Sequence, residues 1–188
     1  MARSGIQRAV VKLLRTIRLD ASDTFVFDAV AEPGEWAVSG AFAFWDKDPA
    51  TLDGKARAAF RSGFLGVNSL GWSTLVQTVE ATETERTVLV DLLAEKLARR
   101  FGAPTMGAAR AAAEEEVAFA ESLCTVPPDS VIAVHRTYEN GAVRESFRTL
   151  RPREASKSAG VFSFLEVEGE DEPGERIDLT ALAERERK

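Results

Sequence analysis

Few residues in this chain are of a type that does chemistry, and the first place to look is around the single histidine. His135 is the only histidine and Cys124 the only cysteine. The flanking runs Val131 to Tyr138 and Val143 to Leu150 alternate as strands around Asn140-Gly141, the dipeptide that most favours a two-residue hairpin turn. That turn would pair Glu139 with Ala142 and set His135 opposite Ser146. A serine–histidine pair lacks catalytic force without an acid to orient the ring, and no acid falls on that face. Arg144 and Arg148 do fall on it. His135, Arg144 and Arg148 therefore form the expected ligand-binding set, on a face otherwise read as solvent-exposed. A guanidinium fork holds a carboxylate or phosphate with two hydrogen bonds. The histidine would add charge below roughly pH 6.5. Between Arg136 and Lys157 six cations oppose only Glu139, Glu145 and Glu154.

The remaining reactive types carry weaker cases. Asp46-x-Asp48 has the opening spacing of a haloacid-dehalogenase-type phosphotransferase site, in which one aspartate attacks phosphorus and the second shuttles the proton beside magnesium. That site wants Thr or Val two places beyond the second acid, and Ala50 stands there. A turn that solvates two acids before Pro49 explains the pair, and the calcium-loop pattern fails at Ala50 and Leu52. Gly63, Gly66 and Gly71 would have to lie between a strand and a helix N-terminus to cradle phosphate, but here a helix precedes and a strand follows. Close packing under Trp72 is their expected use. Trp45, Phe64 and Trp72 are the expected lining of an aromatic pocket. Cys124 ends a helix carrying Glu114, Glu115, Glu116 and Glu121, surroundings that disfavour a thiolate. One histidine and one cysteine give no recognisable metal cage. No catalytic residue, metal ligand or cofactor site is assigned from sequence.

The elements that must position these residues follow from local pattern. Lys12 to Asp20 and Thr24 to Val30 are predicted strands, the first also fitting a helical face from Ile6. Glu32-Pro33-Gly34-Glu35 is a turn. Trp36 to Trp45 is a predicted strand with Trp36, Val38, Phe42 and Phe44 on one face and small residues on the other. Gly54 to Ser62 is a short helix, the three glycines punctuate a loop, and Trp72 to Val79 is the next strand. Thr82 to Phe101 is the clearest helix. Thr82 and Glu85 have capping-box spacing, and Leu89, Leu93, Leu97 and Phe101 form one row with Val88 and Leu92 beside it. A second helix, from about Thr105 to Leu123, turns a small face of Ala109, Ala113, Val117 and Ala120 to its neighbour. Val161 to Val167 is a last strand.

The wording at LLRTIRLDASDTFVF, GEWAVSGAFAFW and GWSTLV resembles a family of short, uncharacterised bacterial proteins, over most of the chain from Leu13 to Cys124. The resemblance implies no activity, cofactor or catalytic residue.

Bulk properties set the outer limits. The chain has 188 residues, one domain by size, with ordinary hydrophobic (45%) and charged (29%) fractions. Its net charge of −6 argues against a nucleic-acid partner, which needs lysine and arginine to displace counterions. No apolar run approaches a membrane span, and a lone cysteine fits a reducing, cytoplasmic setting. The expected organisation is a basic leader over 1–11, one α+β domain over 12–167, and an acidic linker with a short terminal helix over 168–188. The expected fold is an antiparallel sheet of about six to seven strands covered by a helical hairpin. A rival architecture would split the chain near Pro127. The expected function is that of a non-catalytic binding or accessory protein, acting through a protein partner or a small anionic ligand, with a homo-oligomer compatible. An enzyme with an unrecognised site on a small molecule is the competing class.

Overall fold

A computed structural model describes residues 10–152 and 165–168. The basic leader up to residue 9, the start of the last strand at 161–164, and the acidic linker and terminal helix beyond 168 lie outside the described residues. Eight strands form one sheet: β1 (Val10–Ile17), β2 (Trp36–Val38), β3 (Phe64–Gly66), β4 (Trp72–Ser73), β5 (Leu75–Thr82), β6 (Val131–Glu139), β7 (Ala142–Pro152) and β8 (Leu165–Glu168). Their order is β4-β3-β2-β1-β5-β6-β7-β8, with every neighbouring pair antiparallel. The helices are α1 (Ser22–Val26), α2 (Gly54–Ser62), α3 (Glu83–Arg100) and α4 (Met106–Ser122). The expected α+β class, an antiparallel sheet with a covering helical hairpin, is what the chain adopts.

One residue, Thr74, separates β4 at the sheet's edge from β5 near its centre. The sheet must therefore curl until that edge returns to the β1–β5 junction. The Ser73 hydroxyl bridges the closure, lying 3.1 Å from the Ile17 carbonyl and 2.8 Å from that of Leu75. Successive strand residues point to opposite faces, and Leu13 and Leu14, like Ala37 and Val38, are all fully buried. Both faces of the central strands are thus covered. The main core joins these residues to Leu89, Leu93, Ala113 and Val117 of the helical hairpin and to Ile132 and Val134 of β6. It therefore spans the chain on both sides of Pro127. A smaller cluster of Phe27, Phe44, Ala59 and Phe60 sits under α2.

Local rules account for the helical hairpin. Thr82 accepts from the Glu85 amide and Glu85 reaches back to the Thr82 amide, closing the capping box that starts α3. Thr105 caps α4 in the same way through the Ala108 amide. Leu89, Leu93 and Leu97 are buried as their spacing predicts. The stripe continues through Val90 and Ala94, so Val88 lies outside it and is exposed. In the second hairpin the predicted register is seen in full, from Glu139↔Ala142 through His135↔Ser146.

Three expected elements differ. The strand predicted at Thr24 to Val30 is α1 followed by a single parallel bridge, Val30 to Trp72. Asp23 is buried here and accepts hydrogen bonds from the Thr74 amide and hydroxyl, an anchor that overrides local β-propensity. The strand predicted at Trp36 to Trp45 stops at Val38. Gly40 is left-handed (φ 80°), and a Cβ there would lie 2.6 Å from that of Leu65. The chain turns into a 3-10 turn, Ala41–Phe44, which sends Phe42 toward the main core and Phe44 to the smaller cluster. The glycine-spaced loop contains β3. Gly63 does pack under Trp72 as expected, since a Cβ there would meet the indole at 2.7 Å. Among the described residues no helix is long and apolar enough to cross a membrane.

Candidate functional site

Helix α2 and the segments on either side of it assemble a site-like surface. The 3-10 turn presents Phe44, whose ring stacks on Trp72 at 5.2 Å and meets Phe60 edge-on at 5.3 Å. Beside this pair opens a pocket of about 280 Å³. Its apolar walls are Phe44, Trp72, Phe101, Leu65 and Leu70, and Ala43, Ala56 and Ala59 keep the remaining side shallow. Its charged residues are Lys47, Lys55 and Asp28. Lys47 lies 5.5 Å from the Phe44 ring centre, and Lys55 lies 3.6 Å from the exposed Asp28 carboxylate. The arrangement suits a ligand with an apolar body and an anionic end. It offers no nucleophile–base pair.

Of the expected aromatic set, Trp72 is part of this pocket. Phe64 instead lies fully buried in the main core, with its ring 6.2 Å from Phe147, and Trp45 is 73% exposed. Phe44 and Phe101 take the places those two were expected to fill. His135, Arg144 and Arg148 are all exposed on the face of the β6–β7 hairpin that the register assigns them. His135 stands opposite Ser146 and therefore diagonal to both arginines. The Arg144 guanidinium is 3.6 Å from Glu139, and β8 sets Glu166 beside Arg151 in the ladder.

A second polar centre lies on the other face of the same hairpin, and sequence reasoning missed its role. Strand alternation sets Arg136 among the apolar side chains of Ile132, Val134 and Tyr138 with Glu145 opposite, and the structure buries it completely. All five of its N–H donors are used. Nε donates to Glu145 at 2.6 Å, and Nη1 to the carbonyls of Phe60 (3.0 Å) and Gly63 (2.7 Å) at the end of α2. Nη2 donates to the Ser39 carbonyl and, at 3.1 Å, to its hydroxyl oxygen. Burial works against the Arg136 charge while Glu145 sustains it. Nearby, burial and the Glu145 charge push the Glu116 carboxyl up to about 7, with Arg136 opposing the shift. An apolar strand face of Ile132, Val134 and Tyr138 interrupted by one arginine was the available signal, since a buried arginine must find partners for every donor.

The other reactive types have structural duties. Asp48 accepts the Ala50 amide at 3.0 Å and caps the 3-10 turn Pro49–Thr51. The Cys124 thiol is buried, donates to the Ala120 carbonyl at 3.3 Å, and is pushed up to about 11 chiefly by that burial. Glu114 and Glu121 both bind Arg86. Among the described residues no group of three or more histidine, cysteine or acidic side chains is placed to hold a metal ion.

Comparison with known proteins adds the family. The model described as "Family of unknown function (DUF6505)" matches residues 11–166. No curated protein and no solved structure matches the chain.

Proposed function

We propose, for a chain that belongs to the family of unknown function DUF6505, a non-catalytic binding role in which the Phe44–Trp72 pocket holds a small anion with an apolar body, such as an aromatic or short-chain carboxylate. One observation carries this reading: a stacked aromatic wall lines a pocket that also bears two lysines against a single acid. Ligand sites are mostly apolar, with a few polar groups that fix orientation. Lys47 and Lys55 supply compact charges on flexible stems, suited to meeting an anionic end at a mouth open to water. The structural duties of Asp48 and Cys124 weigh against the enzymatic class, and the buried thiol suits a reducing, cytoplasmic setting.

Intrinsic tryptophan fluorescence tests the pocket. Replacing the exposed Trp45 with Phe leaves Trp72 as the reporter within the pocket. Benzoate and hexanoate should quench it saturably, and Lys47→Gln with Lys55→Gln should weaken the effect at least tenfold. Absence of saturable quenching by either compound, or quenching indifferent to both lysines, would remove the reading. Turnover of a bound compound, abolished by Trp72→Ala, would replace it with the enzymatic one.

A second reading is favoured by the hairpin register. His135 lies diagonal to Arg144 and Arg148 on an exposed face, which suits docking of an acidic protein partner. In that case Arg144→Ala with Arg148→Ala abolishes capture of the partner and leaves the thermal midpoint nearly unchanged.

A further inference from the structure

We propose a second, separate ligand site on the far side of α2, one that takes a phosphate monoester. A helix turns about 100° per residue. Lys55, Ala56 and Ala59 therefore face the aromatic pocket, Arg57 and Arg61 face away from it, and Phe60 lies between, with its ring against Phe44. Arg57, Phe60 and Arg61 line another cleft, of about 330 Å³, together with Arg136, Thr137 and Tyr138 of β6. Its lining includes three arginines and no carboxylate.

The charge balance around this cleft differs from that around three of the four arginines of the α3–α4 hairpin. On the α3–α4 hairpin Arg86 pairs with Glu114 and Glu121, Arg99 with Glu95, and Arg110 with Asp91. Arg57 and Arg61 have no carboxylate partner among the described residues. Nε of Arg57 donates to the Leu52 carbonyl at 2.7 Å, which steadies the stem and leaves its Nη groups to the cleft. The two arginines are four residues apart on one helix face, a spacing at which like charges repel and destabilise the helix. An anion between them removes that repulsion. Arg136 contributes its field alone, because Glu145, Ser39 and the end of α2 take all its donors.

The ligand class follows from the donors. Two guanidinium forks offer more parallel N–H pairs than the two oxygens of a carboxylate can use, whereas a phosphate monoester presents three terminal oxygens. It is also close to doubly charged at neutral pH. Tyr138, half exposed at the cleft, sets a ring where the organic part of the ester would lie.

Calorimetry and thermal melts of the full chain test the assignment, with inorganic phosphate, phenyl phosphate and benzoate as probes and sodium chloride at matched ionic strength as control. Both phosphates should bind saturably. Arg61→Gln should weaken them tenfold or more, and Arg57→Gln with Arg61→Gln should abolish binding; both residues are exposed, so the variants should fold, which circular dichroism checks. Tyr138→Ala should weaken phenyl phosphate and leave inorganic phosphate unchanged. Lys47→Gln with Lys55→Gln should change neither. Phosphate binding that survives the double arginine variant overturns the site, as does a response that sodium chloride reproduces. Loss of phosphate binding in the lysine variant would move the anion to the aromatic pocket, and would also overturn it.

Discussion

The α3–α4 hairpin and the α2 region pack against one curled sheet and treat their arginines differently. In the hairpin, three of the four arginines, Arg86, Arg99 and Arg110, sit beside carboxylates of the same or the facing helix. Its inner faces are aliphatic, from Leu89 to Leu97 and from Ala109 to Ala120. Around α2 the surface cations Arg57 and Arg61 lack acidic partners among the described residues, and two clefts open along the helix. What holds that region is one buried arginine that binds the helix's last carbonyls.

The comparison makes Arg136 the most costly residue to lose. Arg136→Met should destabilise by about 3–5 kcal/mol in urea melts, because Glu145 keeps its charge without its partner and α2 loses its carbonyl donors. Replacing Glu145 with Met as well should recover part of the loss. A single variant that costs under about 1 kcal/mol would mean the polar centre does not hold α2.

Within the hairpin, where packing alone does the work, Leu93→Ala should cost about 2–5 kcal/mol through lost transfer energy and a residual cavity. A loss below about half a kcal/mol would place Leu93 at the surface and undo the contrast.

Glu116 lies where the two regions meet, and its effect should be smaller. Its carboxyl ionises near 4.5 when unfolded and at about 7 in the folded chain. Between those values the folded state holds a proton the unfolded state has released. This group's contribution therefore falls as pH rises from 4.5 to 7 and is flat above. Glu116→Gln should flatten that slope and raise stability at pH 8 by roughly 1–3 kcal/mol. An unchanged slope in melts across this range would detach Glu116 from the polar centre.

The same division governs what could be read from the sequence. The α3 and α4 boundaries, the leucine row and the 131–150 register rest on caps, periodicity and an Asn-Gly turn, all local signals. The segments around α1, β2 and β3 are fixed by contacts across tens of residues: Asp23 with Thr74, Gly40 with Leu65, and Gly63 with Arg136. Local pattern favoured strands in the first two segments and a loop in the third, and tertiary contacts prevailed. The site shows the same limit. Trp72 stood out as a tryptophan among glycines, whereas Lys47 and Lys55 gain meaning only once folding brings residues 28, 44, 72 and 101 together, and Arg57 and Arg61 only beside residues 136 to 138. The signal was present in GKARAAFRS, a helix with three cations and no acid. Arg136 looked anomalous on an apolar strand face, and the pattern of that strand could not name Phe60, Gly63 and Ser39 as its partners.

At Trp72 the outermost strand of the sheet offers no free amide to a second molecule. The Trp72 N–H donates to the Ala29 carbonyl and its own carbonyl accepts from Ala31, both at 2.9 Å, so an irregular stretch of the same chain occupies the edge. Gly71 makes that possible, since a Cβ there would lie 2.4 Å from the Val30 carbonyl carbon. Exposed edges are templates on which sheets of neighbouring molecules extend one another. One missing methyl group therefore keeps this rim closed, and a larger residue at Gly71 would pry the cover away and turn the rim into a seed for aggregation.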